Sequence, residues 1–194
     1  MPEWVTDTFP YADGALETVS GGKWTKLTGS TSSVQVTTGQ AGGSGNEAGQ
    51  MITTWPGSTT LQYTEAVWIS GQFGGPTIFC AQTYSFYLGE LIAFGGCKLY
   101  KVIGGAFTQI ATTATDPVSG HVYRLYMSVA GTLTLADNGT DFLTLTSETS
   151  LTTGVPGIRC WGTVLDNWAA GDFSVGGAGR NRARPFPFKP GSPR

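Results

Sequence analysis

The stretch HVYRLYMSVAGTLTLADNGTDFLTLT, residues 121–146, decides the fold class of this chain. Its first part has the two-residue period of a half-buried strand, with Tyr123, Leu125 and Met127 on one face and Val122, Arg124, Tyr126 and Ser128 on the other. One face is expected to enter a core and the other to meet solvent or a ligand. Its second part places Asn138 and Gly139, which tolerate positive φ, between runs of alternating Thr and apolar residues. The stretch therefore predicts antiparallel strands, the last two joined by a tight hairpin.

Strand-length runs continue on both sides of this stretch, and turn residues separate them. They cover residues 63–70, 75–82, 84–91, 97–104, 106–113 and 157–164. No segment has a convincing helical period. Residues 29–50 are polar and Gly-rich, which predicts one short strand near Val34 and Val36 and then a long surface loop. Many short strands without helical crossovers predict an all-β fold, a two-sheet antiparallel jelly-roll sandwich.

The composition fits a single β domain with a tail. Only 12% of the residues are charged and 29 of the 194 are Gly, while Thr, Val, Tyr and Trp are plentiful. The length suits one domain, residues 1–175, followed by a C-terminal arm, residues 176–194. No run of about eighteen apolar residues occurs, and the N-terminal MPEWVTDTF lacks a basic segment before an apolar one. We therefore expect a soluble chain with neither a membrane span nor a signal peptide.

The three cysteines, Cys80, Cys97 and Cys160, give an odd count that argues against a disulfide framework. If residues 76–82, 84–91 and 97–103 are successive antiparallel strands, Cys80 and Cys97 lie two strands apart. That separation is roughly 9 to 10 Å, beyond the range of a disulfide bond. We expect free buried thiols, which suit a protein assembled in a reducing cytoplasm.

The C-terminal arm differs in charge from the rest of the chain. It holds five basic side chains and no acid, whereas the first 175 residues carry all thirteen carboxylates and six Lys or Arg. Its prolines and its lack of an apolar period exclude a core of its own. An extended arm would present basic and aromatic side chains to an acidic, grooved partner, at Arg180, Arg182, Arg184, Phe186, Phe188 and Lys189. A disordered solubilising tail is the alternative, and the acidic domain argues against a nucleic-acid partner.

Several segments in this order resemble one known family. They are DTFPYADGAL (Asp7–Leu16) with Trp24 downstream, LYKVIGGAFT (Leu99–Thr108), YRL (Tyr123–Leu125), GVPGI (Gly154–Ile158) and LDNWAAGDF (Leu165–Phe173). Together they are similar to concanavalin A-like jelly-roll domains of the kind found in tailed-bacteriophage structural proteins and in some secreted bacterial proteins. The resemblance covers about residues 5–175 and implies that the first and last strands pair. Members often carry Arg where Tyr11 stands, so the resemblance gives no polar contact for that position.

Glucan hydrolases of this superfamily carry two catalytic carboxylates on one strand, in the pattern E-x-D-x-x-E. Retaining hydrolysis needs an acid and a nucleophile about 5 to 5.5 Å apart. The nearest match begins at Glu90, but Ile92 and Gly95 occupy the partner positions. We therefore expect no enzymatic activity and no catalytic residue.

Other chemistry has weak support in the sequence. The single histidine, His121, stands at the start of a strand and reads as a surface residue rather than a catalytic base. Asp166, Asn167 and Asp172 offer oxygen ligands for calcium, although hydrogen bonds from carboxylates to turn amides explain the same residues. We therefore expect no cofactor, with calcium at this cluster as an open alternative.

Three functional hypotheses follow. The leading one is a non-enzymatic bacteriophage virion protein, a capsid decoration or other particle-surface protein assembled in the host cytoplasm and attached through the arm to virion proteins, above all the major capsid protein. The second is a carbohydrate-binding module of a bacterial surface or secreted protein, with host or environmental glycans as ligands. Its glycan face would use Trp55, Tyr87, Arg124 and Tyr126. The third is a diverged glycoside hydrolase, and self-association stays open.

Overall fold

Two antiparallel sheets packed face to face make up the computed structural model, which describes residues 5–46, 48–57, 60–128 and 131–173. In order across the sheet, sheet A contains β14 (Thr140–Leu145), β13 (Leu133–Asp137), β12 (Val122–Met127), β7 (Gln62–Gly71), β16 (Thr163–Asp172), β5 (Gln40–Gly42), β4 (Gln35–Thr37) and β2 (Gly14–Ala15), with β1 (Val5–Asp7) also paired to β16. Sheet B contains β11 (Ala106–Thr113), β10 (Gly96–Ile103), β9 (Ser85–Ile92), β8 (Gly74–Ala81), β15 (Val155–Cys160), β6 (Ala48–Ile52) and β3 (Trp24–Lys26). The prediction of an all-β two-sheet sandwich is confirmed.

The core lies between the sheets and is filled by large side chains from both. In β12 burial alternates as predicted, and the face that enters the core is that of Tyr123, Leu125 and Met127. Trp24 of sheet B meets Trp168 of sheet A edge to face, with ring centroids 4.7 Å apart. The Trp168 indole donates a hydrogen bond to the Thr64 hydroxyl at 2.8 Å, so this polar group is satisfied inside the core.

The predicted hairpin and the predicted thiols are both present. Asp137 pairs with Thr140, and the two residues between them have φ of 46° at Asn138 and 82° at Gly139, as a two-residue turn of this kind requires. The three cysteines are free and buried, and β9 separates the strands of Cys80 and Cys97. Among the described residues no helix is long and apolar enough to cross a membrane.

Residues 29–50 correct the sequence-based prediction. Instead of one short strand and a long loop, this region contributes β4, β5 and the start of β6, and β6 pairs with both β15 and β3. The strands were missed because small residues stand where bulky strand formers are usual. A Cβ added at Gly43 would lie 2.5 Å from the Cys160 carbonyl oxygen, so the close approach of two backbones explains that glycine. A single helical turn, α1 (Leu16–Val19), was also not predicted.

The first and last described strands pair, as the family resemblance implied, and a buried carboxylate joins them to the core. Asp7 is opposite Trp168 in the β1–β16 register. Its carboxylate accepts hydrogen bonds from the Tyr11 hydroxyl and the Trp24 indole, both at 2.7 Å, and lies 3.1 Å from the Lys23 ammonium. Burial, reinforced by Asp7, raises the pKa of Tyr11. Tyr11 thus makes a polar contact of its own at the position where Arg is common, while Lys23 supplies a cation.

Gly71 ends β7 at a point where a side chain has no room. A Cβ there would lie 1.8 Å from the Gly162 carbonyl oxygen, and the residue has φ of +96°. We expect Gly71→Ala to lower the free energy of unfolding by at least about 2 kcal/mol in urea denaturation, because a backbone clash adds to the conformational strain. Gly120→Ala is the matched control: its φ is +83° but its Cβ position is open, so only the strain of about 1 kcal/mol applies. Equal losses in the two variants would contradict the clash.

Candidate functional site

The face of sheet B that points away from sheet A is strongly concave. Phe107 on β11 and Arg159 on β15 have three strands between them, which in a flat sheet is a separation of roughly 19 Å. Yet the Arg159 guanidinium carbon lies 4.9 Å from the centre of the Phe107 ring. Long side chains alone do not span that separation, so the sheet curls and brings its two sides together. We call this surface the concave face.

A second apolar cluster fills one half of the concave face. It consists of Leu27, Cys80, Tyr84, Phe86, Leu88 and Val102, and it is separate from the core between the sheets. The segment after β3 is tied to β6 beside it: the Leu27 amide donates to the Gly49 carbonyl at 3.0 Å, and the Ser30 hydroxyl donates to the same carbonyl at 3.0 Å. The members of the cluster are at most 3% exposed, so the protein's own side chains fill this part of the concave face.

A buried ion pair occupies the middle of the concave face. The Arg159 guanidinium lies 3.0 Å from the Glu90 carboxylate and also donates to the Phe73 carbonyl at 2.8 Å. Arg159 is opposite Gly75 in the β15–β8 register, and the missing side chain leaves room for it to cross β8 to Glu90 on β9. Burial and the neighbouring Glu90, which the Tyr100 hydroxyl contacts, raise the pKa of Tyr100. Glu90 is thus neutralised by Arg159 and held by Tyr100.

Exposed aromatic rings flank this ion pair. Phe107, Trp161 and Phe73 are 39%, 41% and 37% exposed. The Arg159 guanidinium carbon lies 4.9 Å from the centre of the Phe107 ring and 5.6 Å from that of the Trp161 ring, and the ring centroids of Phe73 and Trp161 are 5.4 Å apart. We call Phe107, Arg159, Trp161 and Phe73 the aromatic stripe. Its outer rings offer apolar faces to solvent, a property that folding alone does not explain.

A cavity of about 510 Å³ opens beside the Phe107 end of the aromatic stripe. Three connections and one strand line it, through Thr28, Gly29, Gln82, Thr83, Tyr84, Gly104, Gly105 and Phe107. Its volume is in the range of small-molecule sites, which hold one or a few rings. The stripe and the cavity share Phe107 and so form one continuous surface.

The four residues predicted for a glycan face do not come together. Tyr87 is buried between the sheets, where its hydroxyl donates to Glu148 at 2.8 Å, which corrects its placement on an exposed face. Trp55 is half-buried and packs against the core. Arg124 and Tyr126 share the outer face of sheet A, opposite the concave face.

On the outer face of sheet A these two residues are engaged by neighbours. Arg124 lies 2.6 Å from the Glu65 carboxylate. Tyr126 stacks on Phe173 with ring centroids 4.1 Å apart, and its hydroxyl donates to Asp141 at 2.8 Å. These contacts tie the strands of sheet A together.

Sequence reasoning missed the residues of the aromatic stripe. A signal was available for two of them: Phe73 and Trp161 each stand directly beside Gly in short connections, where a large aromatic side chain has no core to enter. Arg159 and Phe107 had no such signal, because their meeting depends on the curvature of sheet B.

The remaining predicted sites have these positions. The His121 ring lies 2.8 Å from the Asp137 carboxylate. Asp166 accepts a hydrogen bond from the Asn167 amide at 2.7 Å, the turn contact that competes with calcium binding. Within the described ranges no three His, Cys, Asp or Glu side chains group as metal ligands, and calcium at Asp166, Asn167 and Asp172 stays a prediction. The arm residues Arg180, Arg182, Arg184, Phe186, Phe188 and Lys189 lie outside the described residues.

The protein has the fold of a two-sheet antiparallel jelly-roll sandwich, and the solved structures that resemble it are concanavalin A-like jelly-roll domains. No protein-family model matches the sequence, and no curated protein matches it either. Among solved structures, it is similar to the carbohydrate binding module CBM66 from Bacillus subtilis, with 12% identity, a TM-score of 0.56 and coverage of 75% of this chain and 91% of the module.

Two further neighbours have the same architecture. The metal-free carbohydrate recognition domain of Emp46p gives 11% identity, a TM-score of 0.55 and coverage of 87% and 95%. The β-glucanase of Bacillus licheniformis gives 10% identity, a TM-score of 0.51 and coverage of 88% and 98%. At such identities the likeness shows the fold alone. These neighbours give no support to the bacteriophage part of the sequence-based hypothesis.

Proposed function

We propose that this protein is a carbohydrate-binding domain and that the aromatic stripe on the concave face of sheet B is its binding surface. The observation that carries the proposal is the pair of exposed rings, Phe107 and Trp161, that both contact the Arg159 guanidinium. The C–H faces of a sugar pack on aromatic rings, while its hydroxyls hydrogen-bond to polar groups beside them. Two exposed rings that contact one guanidinium offer stacking surface to more than one sugar residue of an oligosaccharide.

The solved structures favour this reading over a virion role. Two of the neighbours named above are a carbohydrate binding module and a carbohydrate recognition domain. Attachment to a virion, through other virion proteins and the arm, stays a prediction from the sequence, because it depends on residues 176–194. A glycan-binding sandwich carried by a larger particle or cell surface is compatible with both hypotheses.

We propose binding without catalysis. Retaining hydrolysis needs two carboxyl groups about 5 to 5.5 Å apart, one of them free to protonate the leaving group. On the concave face the ion pair with Arg159 and the contact from Tyr100 engage Glu90, and a neutralised, buried carboxylate is a poor acid or nucleophile. Glu90, the nearest match to a catalytic acid in the sequence, is therefore assigned to stabilising the fold through Arg159.

Removal of the Trp161 side chain is the direct test. We expect Trp161→Ala to weaken glycan binding at least tenfold. An aromatic side chain that becomes buried under its ligand commonly contributes about 2 kcal/mol or more to the free energy of binding. The measurement is retardation in native gels that contain β-glucan, mannan, arabinan or fructan. Tyr126→Ala is the matched control, since it removes an aromatic side chain from the opposite face. Equal retardation of wild type and Trp161→Ala, or loss of retardation in Tyr126→Ala alone, contradicts the proposal.

A further inference from the structure

Apart from Phe107, the residues that line the cavity belong to three connections of the chain, and these connections are tied to one another. The Thr28 hydroxyl donates to the Gln82 side-chain oxygen at 3.1 Å, which joins the segment after β3 to the β8–β9 turn. The Gly105 amide donates to the Tyr84 carbonyl at 3.0 Å, which joins the β10–β11 turn to the same β8–β9 turn. These two hydrogen bonds link all three connections around the cavity. The sides of the cavity other than the Phe107 side are therefore built from connections that hold each other in place.

The lining of the cavity is uncharged and combines polar with apolar groups. Thr28, Gln82 and Thr83 are exposed there and offer hydroxyl and amide groups, while the exposed ring of Phe107 offers apolar surface. The nearest charges that the stripe brings, Glu90 and Arg159, neutralise each other at 3.0 Å. Groups of this kind hydrogen-bond to sugar hydroxyls and give no counter-charge to a carboxylate or sulfate.

We propose that the cavity is the subsite for the terminal residue of an uncharged glycan chain, with the following residues of the chain on the aromatic stripe. This inference rests on the proposed function and makes it specific: the protein recognises chain ends and not chain interiors. In this proposal the three connections stop the glycan chain beyond Phe107, so only one end of a polymer enters the cavity. Affinity then depends on the last few sugars and is insensitive to the length of the rest.

The test compares binding capacity before and after a polysaccharide is shortened. The full chain is titrated against β-glucan, mannan, arabinan and fructan, each intact and after partial acid hydrolysis to fragments of about ten residues. For the polysaccharide that binds, we expect the amount of protein bound per milligram to rise in proportion to the number of chain ends. The affinity per chain end stays within twofold.

Filling the cavity supplies the second arm of the test. Thr83→Trp places a large ring among the lining residues, and we expect at least a tenfold loss of affinity for the hydrolysed fragments. Thr146→Trp is the same substitution at an exposed position after β14 in sheet A, and it leaves affinity unchanged. Gln82→Ala, which removes a polar group without adding bulk, gives a smaller loss and guards against misfolding of the Trp variant.

The outcomes separate the two proposals. In one outcome, binding depends on Trp161, but the capacity follows the mass of polysaccharide and Thr83→Trp binds like the wild type. This outcome overturns chain-end recognition and leaves the glycan-binding function standing. A preference for acidic over uncharged polysaccharides overturns the assignment of ligand class. Absence of any Trp161-dependent binding overturns both.

Discussion

Glu90→Ala is expected to lower the free energy of unfolding by about 3 to 5 kcal/mol, the usual cost of removing one partner from a buried ion pair. The side chains of Arg159 and Glu90 are 3% and 5% exposed, and their charged atoms lie 3.0 Å apart. Without Glu90 the guanidinium remains buried with an uncompensated charge beside Phe107 and Trp161. Urea denaturation followed by tryptophan fluorescence measures the loss.

A double-variant cycle shows whether the loss comes from the uncompensated charge. Glu90→Leu together with Arg159→Met removes both charges and keeps apolar volume, so most of the stability should return. Glu65→Ala is a useful comparison, because it breaks the Arg124–Glu65 pair on the opposite face, where Arg124 is 16% exposed. A loss below about 1 kcal/mol for Glu90→Ala would place the pair among ordinary surface salt bridges and would remove its structural role.

Acid is expected to destabilise the protein through Glu148. Burial alone would raise the pKa of this carboxyl group, but hydrogen bonds from Ser150 and Tyr87 and the nearby Lys101 ammonium outweigh burial and lower the pKa to about 2, from 4.5. The folded-state pKa is depressed, so the carboxylate contributes its full stability above about pH 4.5. That contribution is lost as the pH falls from about 4.5 towards 2.

The size of the effect follows from the shift. Each pKa unit corresponds to about 1.4 kcal/mol, so the contribution is on the order of 3 kcal/mol for a side chain that is 10% exposed. Glu148→Gln lacks the titrating group, and its stability should change less than that of the wild type between pH 5 and about 2.5. Since other carboxyl groups titrate in both proteins, the difference between the two urea curves at each pH is the quantity measured. If the wild type and Glu148→Gln lose the same stability between pH 5 and about 2.5, the role given to Glu148 is contradicted.

The local pattern was sufficient to predict those parts of the fold that depend on neighbours in sequence. The alternation in β12, the Asn138–Gly139 turn and the separation of Cys80 from Cys97 are properties of one or two strands, and all are present. β5 and β6 escaped prediction because their stability comes from pairing with β16, β15 and β3, which are distant in sequence. Their own residues have weak strand propensity.

The candidate site could not be predicted for a different reason. Alternation shows that the side chains of a strand divide between two faces, but it does not say which face enters the core. Tyr87 was placed on an exposed face, and it points inward, while Glu90 on the same strand points to the concave face. The contact of Arg159 with Phe107 requires the curvature of five strands, a property of the whole sheet.

A map of the bound glycan on the surface of the protein tests glycan binding at the aromatic stripe. Two-dimensional NMR spectra of the labelled protein, recorded with increasing amounts of the oligosaccharide that binds, give that map. If the aromatic stripe and the cavity bind the glycan together, the indole N–H of Trp161 and the amides of Phe107, Gly104 and Gly105 shift with one dissociation constant. Shifts confined to Arg124, Tyr126 and their neighbours on sheet A would instead place the ligand on the opposite face and would contradict glycan binding at the aromatic stripe.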